Sequence, residues 1–213
     1  MKKHKKTLNL SLLIYEHVTS NIKEYLLVSI VLCVGVILGV IAVNHLMQEQ
    51  IDEINTYVAD FIANLKNSPN IDNFVLLKNT LINNLGFIIA ITIAGSTVIG
   101  IPIVYAMVLF KGFSFSYTIS AIIAVLDKGK GITFVLASIG LQNLIYIPCI
   151  IATAVSGIKL YKAITQNKSK ENIKVEIWRH LLFCIVIGGI VLVGSLVEVY
   201  ISTNLLIWYA KYL

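Results

Sequence analysis

Two side-chain amides, Gln142 and Asn143, lie next to each other in the apolar stretch GLQNLIYIPCIIATAVSG. If this stretch crosses a membrane, both amides lie near mid-bilayer, where an unpaired amide is costly and hydrogen bonds between helices are the usual remedy. The candidate partners are the hydroxyl groups of residues 112–126 and the backbone groups that Pro102 and Pro148 leave unbonded. The amides therefore either hold a helix junction together or form a functional polar site within the membrane.

One acidic residue, Glu198, lies within the predicted spans, near the outer end of the last one. Its carboxylate extends to the interface, or accepts a hydrogen bond from the third or fourth span, or helps line a polar path. The predicted spans contain no histidine, the cysteines are scattered singly, and neither H-E-x-x-H nor G-x-S-x-G occurs. We therefore expect no catalytic set, no metal, no cofactor and no enzyme activity.

The elements that must position these residues are membrane helices. Of the 213 residues 57% are hydrophobic and only 13% are charged, against the roughly 45–50% apolar residues of a soluble domain. A bilayer core about 30 Å thick needs about 20 helical residues. We therefore predict an all-α, polytopic membrane bundle forming a single domain, with about five spans. The predicted spans are residues 25–43, 85–110, 112–126, 132–156 and 181–208.

The third predicted span is short. As a helix, residues 112–126 would reach only about 22 Å, so this segment either crosses with a tilt, lies buried or forms a re-entrant hairpin. Charge placement favours crossing, because 12 of the 17 basic residues then lie on the cytoplasmic side. The N-terminus (residues 1–24) and the loop 157–180 are then cytoplasmic, and the loop 44–84 and the C-terminus are extracytoplasmic. The net charge of +6 belongs to cytoplasmic surfaces that face anionic lipid, and without an aromatic stacking platform it does not indicate nucleic-acid binding.

The predicted outer loop, residues 44–84, contains an amphipathic helix that ends before Pro69. Its apolar residues recur at steps of three and four, with acidic residues between them. Either the apolar stripe packs on the membrane plane or the chain's own spans, or the helix docks a partner. The residues that would face a partner are Ile51, Ile54, Val58, Phe61, Asp52, Glu53 and Asp60.

Small residues mark a helix contact in the first span. Gly35 and Gly39 form a G-x-x-x-G pattern, which allows two helix backbones to approach closely. The pattern fits packing within the chain or the pairing of two copies into a homodimer. In the second span Pro102 is expected to kink or break the helix, and the chain is expected to reverse after Lys111.

The stretch NLGFIIAITIAGSTVIGIPIVYAMVLFKGFSFSYTISAI, followed by GLQNLIYIPCIIATAVSG, resembles the stage II sporulation protein M family of endospore-forming bacteria. The resemblance covers about residues 15–170 and, with the last span, most of the chain. Where the wider family often has a proline before the polar pair, this chain has Leu141. The matching residues are Glu16, His17, Gly35, Gly39, Asn44, Asn84, Leu85, Pro102, Lys111, Gly112, Gln142, Asn143, Ile147 and Pro148.

The resemblance implies a role in engulfment during sporulation. Proteins of this kind act with stage II sporulation proteins D and P, which remodel peptidoglycan, as the mother-cell membrane migrates around the forespore. It implies that this chain is the multi-pass anchor and scaffold of that complex in the cell membrane at the septum, and not a hydrolase. The alternative is a permease or channel component, which the proline-containing span, the short polar span and the mid-membrane amides favour.

Overall fold

A computed structural model describes residues 18–67, 72–97, 99–126, 128–165 and 170–212. Within these ranges the backbone forms helices and no strands. Five helical stretches in them are long and apolar enough to cross a membrane. The predicted fold class, an all-α polytopic membrane bundle, is therefore confirmed. Glu16, His17 and the predicted basic N-terminus up to residue 17 lie outside the described residues.

The helices follow one another with short connections. In chain order they are α1 (Ile22–Asn44), α2 (Gln48–Asn67), α3 (Asn73–Gly95), α4 (Gly100–Val125), α5 (Lys128–Val135), α6 (Leu141–Thr165), α7 (Lys170–Val197) and α8 (Thr203–Ala210).

Two short π-helical segments join helices into long continuous rods. Leu136–Gly140 joins α5 to α6, and Glu198–Ser202 joins α7 to α8. The stretches of the α5–α6 rod and the α7–α8 rod that are apolar enough to contain a span are each 38 residues long. They are Lys128–Thr165 and Ile173–Ala210. At 1.5 Å per residue each measures about 57 Å, nearly twice the thickness of a bilayer core. Both rods therefore extend beyond the hydrocarbon region.

The predicted second and third spans have the wrong boundaries. Residues 85–110 do not form one helix, because α3 ends at Gly95 and α4 begins at Gly100. The chain continues as helix through Lys111, where a reversal was predicted, so that α4 is a full-length span of 26 residues and not a short one. Pro102 lies in the first turn of α4, where its missing amide hydrogen costs no helical bond.

The second span also begins earlier than predicted. The Asp72 side chain accepts hydrogen bonds from the backbone amides of Phe74 and Val75, at 2.9 and 3.2 Å, and so caps the start of α3. Asn84, predicted to end the outer loop, is instead the central residue of this 23-residue helix. About the last third of the loop predicted for residues 44–84 therefore belongs to the helix of the second span.

Glycines bring α1 and α4 into close contact. A Cβ atom on Gly35 would meet the backbone of Leu109 and Phe113, and one on Gly39 would meet Phe113 and Ser116. From the opposite side, a Cβ on Gly112 would meet the Leu32 carbonyl oxygen at 2.5 Å. The G-x-x-x-G pattern thus serves packing within the chain, whereas pairing of two copies stays a prediction.

The amphipathic helix α2 packs on the chain itself. Its buried residues Val58, Ile62 and Leu65 form a cluster with Phe134 of α5 and Leu206 of α8. This confirms the interpretation in which the apolar stripe covers the chain's own spans. Val58 is therefore not available to a partner.

The two ends of the bundle differ in charge. At the end that carries α2, which we call the α2 end, the described side chains carry five positive and five negative charges, namely Lys66, Lys78, Lys128, Lys130, Lys211, Glu49, Asp52, Glu53, Asp60 and Asp72. At the opposite end, which we call the basic end, the described side chains carry five positive and two negative charges, namely Lys23, Lys159, Lys162, Lys174, Arg179, Glu24 and Glu176. Lys162 and Glu24 form an ion pair there at 2.6 Å.

Candidate intramembrane polar site

Polar and charged side chains from four spans meet near the middle of the bundle. Asn84 is the central residue of α3, and Lys111 is the twelfth of the 26 residues of α4. Tyr146 of α6 and Glu198 of the second π-helical segment face them. We call Asn84, Lys111, Tyr146, Glu198 and the neighbouring Ser195 the polar site.

Tyr146 is the centre of the hydrogen-bonding pattern. Its hydroxyl donates to Glu198 Oε2 at 3.0 Å and lies 3.0 Å from Ser195 Oγ. A hydroxyl has one hydrogen, so when Tyr146 donates to Glu198, the bond to Ser195 needs the serine hydrogen. Ser195 can also direct that hydrogen to the Val191 carbonyl oxygen at 3.0 Å. Tyr146 is only 4% exposed and Ser195 is fully buried, so both hydroxyls depend on these partners.

Asn84 and Lys111 complete the polar site from the other side. The Asn84 side chain lies near both Tyr146 and Glu198, although it forms a hydrogen bond with neither. The Lys111 ammonium lies 5.3 Å from the centre of the Phe87 ring, which is cation–π geometry, and its charge interacts with that of Glu198. A cation and an anion thus share the interior of the bundle, although they are not within the 4 Å of a direct ion pair.

The helices that carry the two charges are not neighbours. In the described part of the chain, no Cα atom of α4 lies within 8 Å of a Cα atom of the α7–α8 rod, whereas α3 and α6 contact both. The Lys111 side chain therefore extends toward Glu198 between α3 and α6. Residues that carry charge inside a membrane face the interior of the bundle and not the lipid.

The two amides have different partners from those predicted. Gln142 donates to the Ser138 carbonyl oxygen at 2.6 Å and accepts a hydrogen bond from Ser202 Oγ at 2.8 Å. Asn143 donates to the Ile139 carbonyl oxygen at 2.8 Å. The predicted partners, the hydroxyls of residues 112–126 and the groups left unbonded by prolines, are therefore wrong. Ser202 belongs to the last span.

The π-helical segments explain why backbone carbonyl groups are free to accept hydrogen bonds from the Gln142 and Asn143 side chains. Ser138 and Ile139 both belong to the segment Leu136–Gly140, whose wider turn displaces the regular i to i−4 bonding. Ser202 and Glu198 belong to the other segment, Glu198–Ser202. The bond between Gln142 and Ser202 therefore links a helix just after one π-helical segment to the other segment. Such segments occur frequently at functional sites.

Glu198 does not extend to an interface, as one interpretation of the sequence had it. It accepts a hydrogen bond from Tyr146 in the fourth span, which the other interpretation predicted. The α7–α8 rod continues for twelve residues beyond Glu198, to Ala210. Glu198 therefore lies well away from the end of the rod.

A second buried polar set lies nearer the basic end. Contrary to prediction, a histidine is buried within a span: His180 of α7 is 3% exposed, and its Nδ1 lies 2.8 Å from Ser156 Oγ of α6. Cys184 lies one turn further along α7 and accepts a hydrogen bond from Thr92 at 3.3 Å. In the described residues no carboxylate is hydrogen-bonded to His180, so the pair lacks the third member of a catalytic triad. It links α6 to α7.

The other predicted site residues lie outside the polar site. Pro102 and Pro148 are exposed on the outside of the bundle. Gly35 and Gly39 serve the contact between α1 and α4. On α2, the three predicted acidic side chains are exposed, Phe61 is 40% exposed, and Ile51 and Ile54 are half-buried. The predicted acidic residues are Asp52, Glu53 and Asp60, and Glu49 of the same helix is exposed as well.

Spacing could have revealed part of what the sequence analysis missed. Gln142 and Tyr146 are four residues apart, and Ser195, Glu198 and Ser202 follow at steps of three and four, so each set lies on one helix face. Lys111 was missed because a lysine between apolar runs was interpreted as a turn.

Comparison with known proteins identifies a family. The family model described as Stage II sporulation protein M matches residues 28–203, which is most of the chain. No curated protein matches. No solved structure matches either.

Proposed function

The chain belongs to the stage II sporulation protein M family, and we propose that it acts as the membrane anchor and scaffold of the engulfment complex, organising enzymes that remodel peptidoglycan. It is a membrane protein of sporulation with no catalytic step of its own in this proposal. The observation that carries the proposal is the position of α2. This helix is fixed against the end of the bundle and exposes an acidic face.

The fixed position of α2 comes from its buried apolar stripe. Val58, Ile62 and Leu65 are each less than a tenth exposed and contact Phe134 and Leu206. Full burial of one such side chain contributes about 1.5–3 kcal/mol, so three of them hold the helix firmly. A helix held in this way presents its outer face in one orientation, which lowers the entropy cost of binding a partner.

The outer face of α2 has the composition of a binding surface. The acidic residues Asp52, Glu53 and Asp60 are exposed, and none of them forms an ion pair among the described residues. Two aromatic rings accompany them, with Tyr57 75% exposed and Phe61 40% exposed. Exposed aromatic residues next to charges are typical of the residues that dominate interface energies. This surface fits a partner with a basic surface.

The partners in this proposal are stage II sporulation proteins D and P, as the family resemblance implies. The α2 end then faces the extracytoplasmic space, where peptidoglycan is remodelled, and the basic end faces the cytoplasm. The protein lies in the mother-cell membrane at the septum, with its N-terminus cytoplasmic and its C-terminus outside.

The test is an affinity pull-down from sporulating cells after gentle detergent extraction. The test variant is Asp52→Asn with Glu53→Gln and Asp60→Asn. The control variant is Gln48→Ala with Thr56→Ala and Asn64→Ala, which alters three exposed uncharged side chains of the same helix. We expect the peptidoglycan hydrolases to be recovered with the unaltered chain and the control variant and lost with the acidic variant, at equal membrane abundance. Equal recovery with all three chains would contradict the proposal.

A second candidate function is transport, which the polar site specifically favours. Lys111 and Glu198 lie on helices that are not neighbours, yet their charges interact inside the bundle, and interior charges of this kind mark ion or proton paths in transporters. A transporter requires Glu198, whereas the scaffold does not. If the variant Glu198→Gln blocks engulfment while the hydrolases are still recovered, the result would favour transport. Normal engulfment with this variant would favour the scaffold.

A further inference from the structure

A groove of about 370 Å³ lies at the α2 end, between α2, the end of α4 and α5. Its floor is apolar and comes from two elements. Val58 and Ile62 belong to α2, and Val125 and Leu126 end the third span. Two lysines, Lys66 of α2 and Lys130 of α5, stand at its edge.

The charge of the groove differs from that of the rest of α2. Lys66 and Lys130 are exposed and are the only charged residues among the described residues that line it. Neither lysine forms an ion pair in the described part of the chain. The acidic residues of α2 are not among the lining residues. Positive charge is therefore concentrated on one side of this helix and negative charge on the other.

The depth of the groove indicates what kind of molecule reaches it. Val125 and Leu126 are the last residues of a span, so the floor lies where the hydrocarbon core meets the headgroups. Lysines at this level attract phosphate, which an ammonium binds as a point charge. A ligand with both an anionic phosphate and acyl chains fits the two lysines and the apolar floor together.

We propose that this groove binds an anionic phospholipid of the leaflet at the α2 end, with the phosphate between Lys66 and Lys130 and an acyl chain against Val125 and Leu126. The groove is a site for one lipid and is distinct from the acidic face of α2 to which the scaffold proposal assigns partners. It does not depend on that proposal.

The test uses the full chain in nanodiscs of phosphatidylcholine that contain a small fraction of phosphatidylglycerol with a photoreactive acyl chain. Cross-linked peptides are then mapped by mass spectrometry. We expect labelling of the segments that contain residues 55–66 and 125–130, and about tenfold less labelling there in the variant Lys66→Gln with Lys130→Gln. The control variant, Lys78→Gln with Lys211→Gln, removes two exposed lysines from the same end of the bundle and is expected to label like the unaltered chain.

Three further measurements make the assignment falsifiable. Photoreactive phosphatidylcholine in place of phosphatidylglycerol is expected to label the groove weakly, and equal labelling by both lipids would overturn the proposal. The variant Lys66→Arg with Lys130→Arg is expected to keep the labelling, since it keeps the charge. Inorganic phosphate at millimolar concentration is expected not to compete. Displacement by phosphate would assign the two lysines to a free phosphate group and overturn the lipid.

Discussion

Tyr146 joins more partners inside the membrane than any other side chain of the polar site. Its hydroxyl contacts Ser195 and Glu198 of the last span, and Asn84 of α3 lies nearby. Because water is absent from the hydrocarbon core, a group that loses its partner there cannot turn to solvent. The hydroxyl therefore both satisfies the carboxylate and links two spans.

We expect Tyr146→Phe to lower the free energy of unfolding by about 1–3 kcal/mol, the cost of leaving buried polar groups without a partner. The measurement is thermal unfolding of the purified protein in detergent. The control is Tyr200→Phe, which removes the hydroxyl of a tyrosine that is 50% exposed and lies in the same π-helical segment as Glu198. Equal stability of the two variants would show that the Tyr146 hydroxyl contributes nothing.

The neighbouring amides give a second prediction at this scale. Gln142 is bonded to Ser202 on another span, whereas Asn143 is bonded only to a carbonyl of its own rod. We expect Gln142→Leu to destabilise the protein in detergent by about 1 kcal/mol or more through loss of the interhelical bond. Asn143→Leu is expected to have a smaller effect. The reverse order would contradict the bonding pattern.

The sequence analysis identified three polar side chains within the membrane but did not name the residues to which they are bonded. Gln142, Asn143 and Glu198 were recognised because polar side chains in long apolar runs are rare. Lys111 and Asn84 were assigned to a turn and a loop, since a charged or amide residue also marks the end of a span. Hydropathy alone cannot separate these two roles, because both depend on which helices surround the residue.

Among the elements, α1 and α4 are in the closest contact. Glycines on both helices remove the side chains that would separate the backbones. In a membrane, where lipid is as apolar as leucine, close van der Waals packing of this kind is a main source of helix association. The glycine pattern in the sequence predicted a close helix contact but not the helix that takes part in it. Such a pattern indicates that a backbone can approach closely without identifying which helix does so.

We expect Gly35→Ala to destabilise the bundle by about 1–3 kcal/mol, the usual cost of overpacking, because its Cβ would collide with backbone atoms of α4 that cannot move away. The matched control is Gly189→Ala in α7, where a Cβ meets no atom within 4 Å. That variant is expected to be up to about 1 kcal/mol more stable through helix propensity. Thermal unfolding in detergent measures both, and a destabilised Gly189→Ala would contradict the reasoning.

Span boundaries were the least predictable property of the elements. The segment from Asn73 to Asn84 carries several polar side chains, which concealed the first half of α3. The apolar run then continued across the break between Gly95 and Gly100, so two helices were interpreted as one. The number of spans, five, was nevertheless predicted correctly. Although the boundary between them was wrong, α3 begins early enough and α4 is long enough for each to form one span.

For the whole molecule, the difference in charge between the two ends predicts the orientation in the membrane. Of the 17 basic residues, five described ones lie at the α2 end and five at the basic end, where fewer described acidic residues accompany them. Six more, at positions 2–6 and 168–170, flank α1, α6 and α7 in the sequence. Lys111 lies between the two ends within α4. The positive-inside rule then predicts that the basic end is cytoplasmic.

Cysteine labelling tests this orientation. In a chain whose three native cysteines are replaced by alanine, we expect Asp60→Cys to react with a membrane-impermeant maleimide on intact cells. Lys23→Cys is expected to react only after the membrane is permeabilised. Each variant is the control for the other, because both cysteines must react with the maleimide once the cells are permeabilised. Reaction of Lys23→Cys on intact cells would show the opposite orientation.

The short turn between α3 and α4 has a consequence for biosynthesis. These two spans are the least apolar of the five, and α4 carries Lys111 near its middle, where a lysine adds about 2.5–3.5 kcal/mol to the free energy of insertion. Only residues 96–99 separate the two helices, and none of them is charged. We therefore expect α3 and α4 to leave the translocon together as a hairpin, with α1 already in the bilayer as the surface that receives α4.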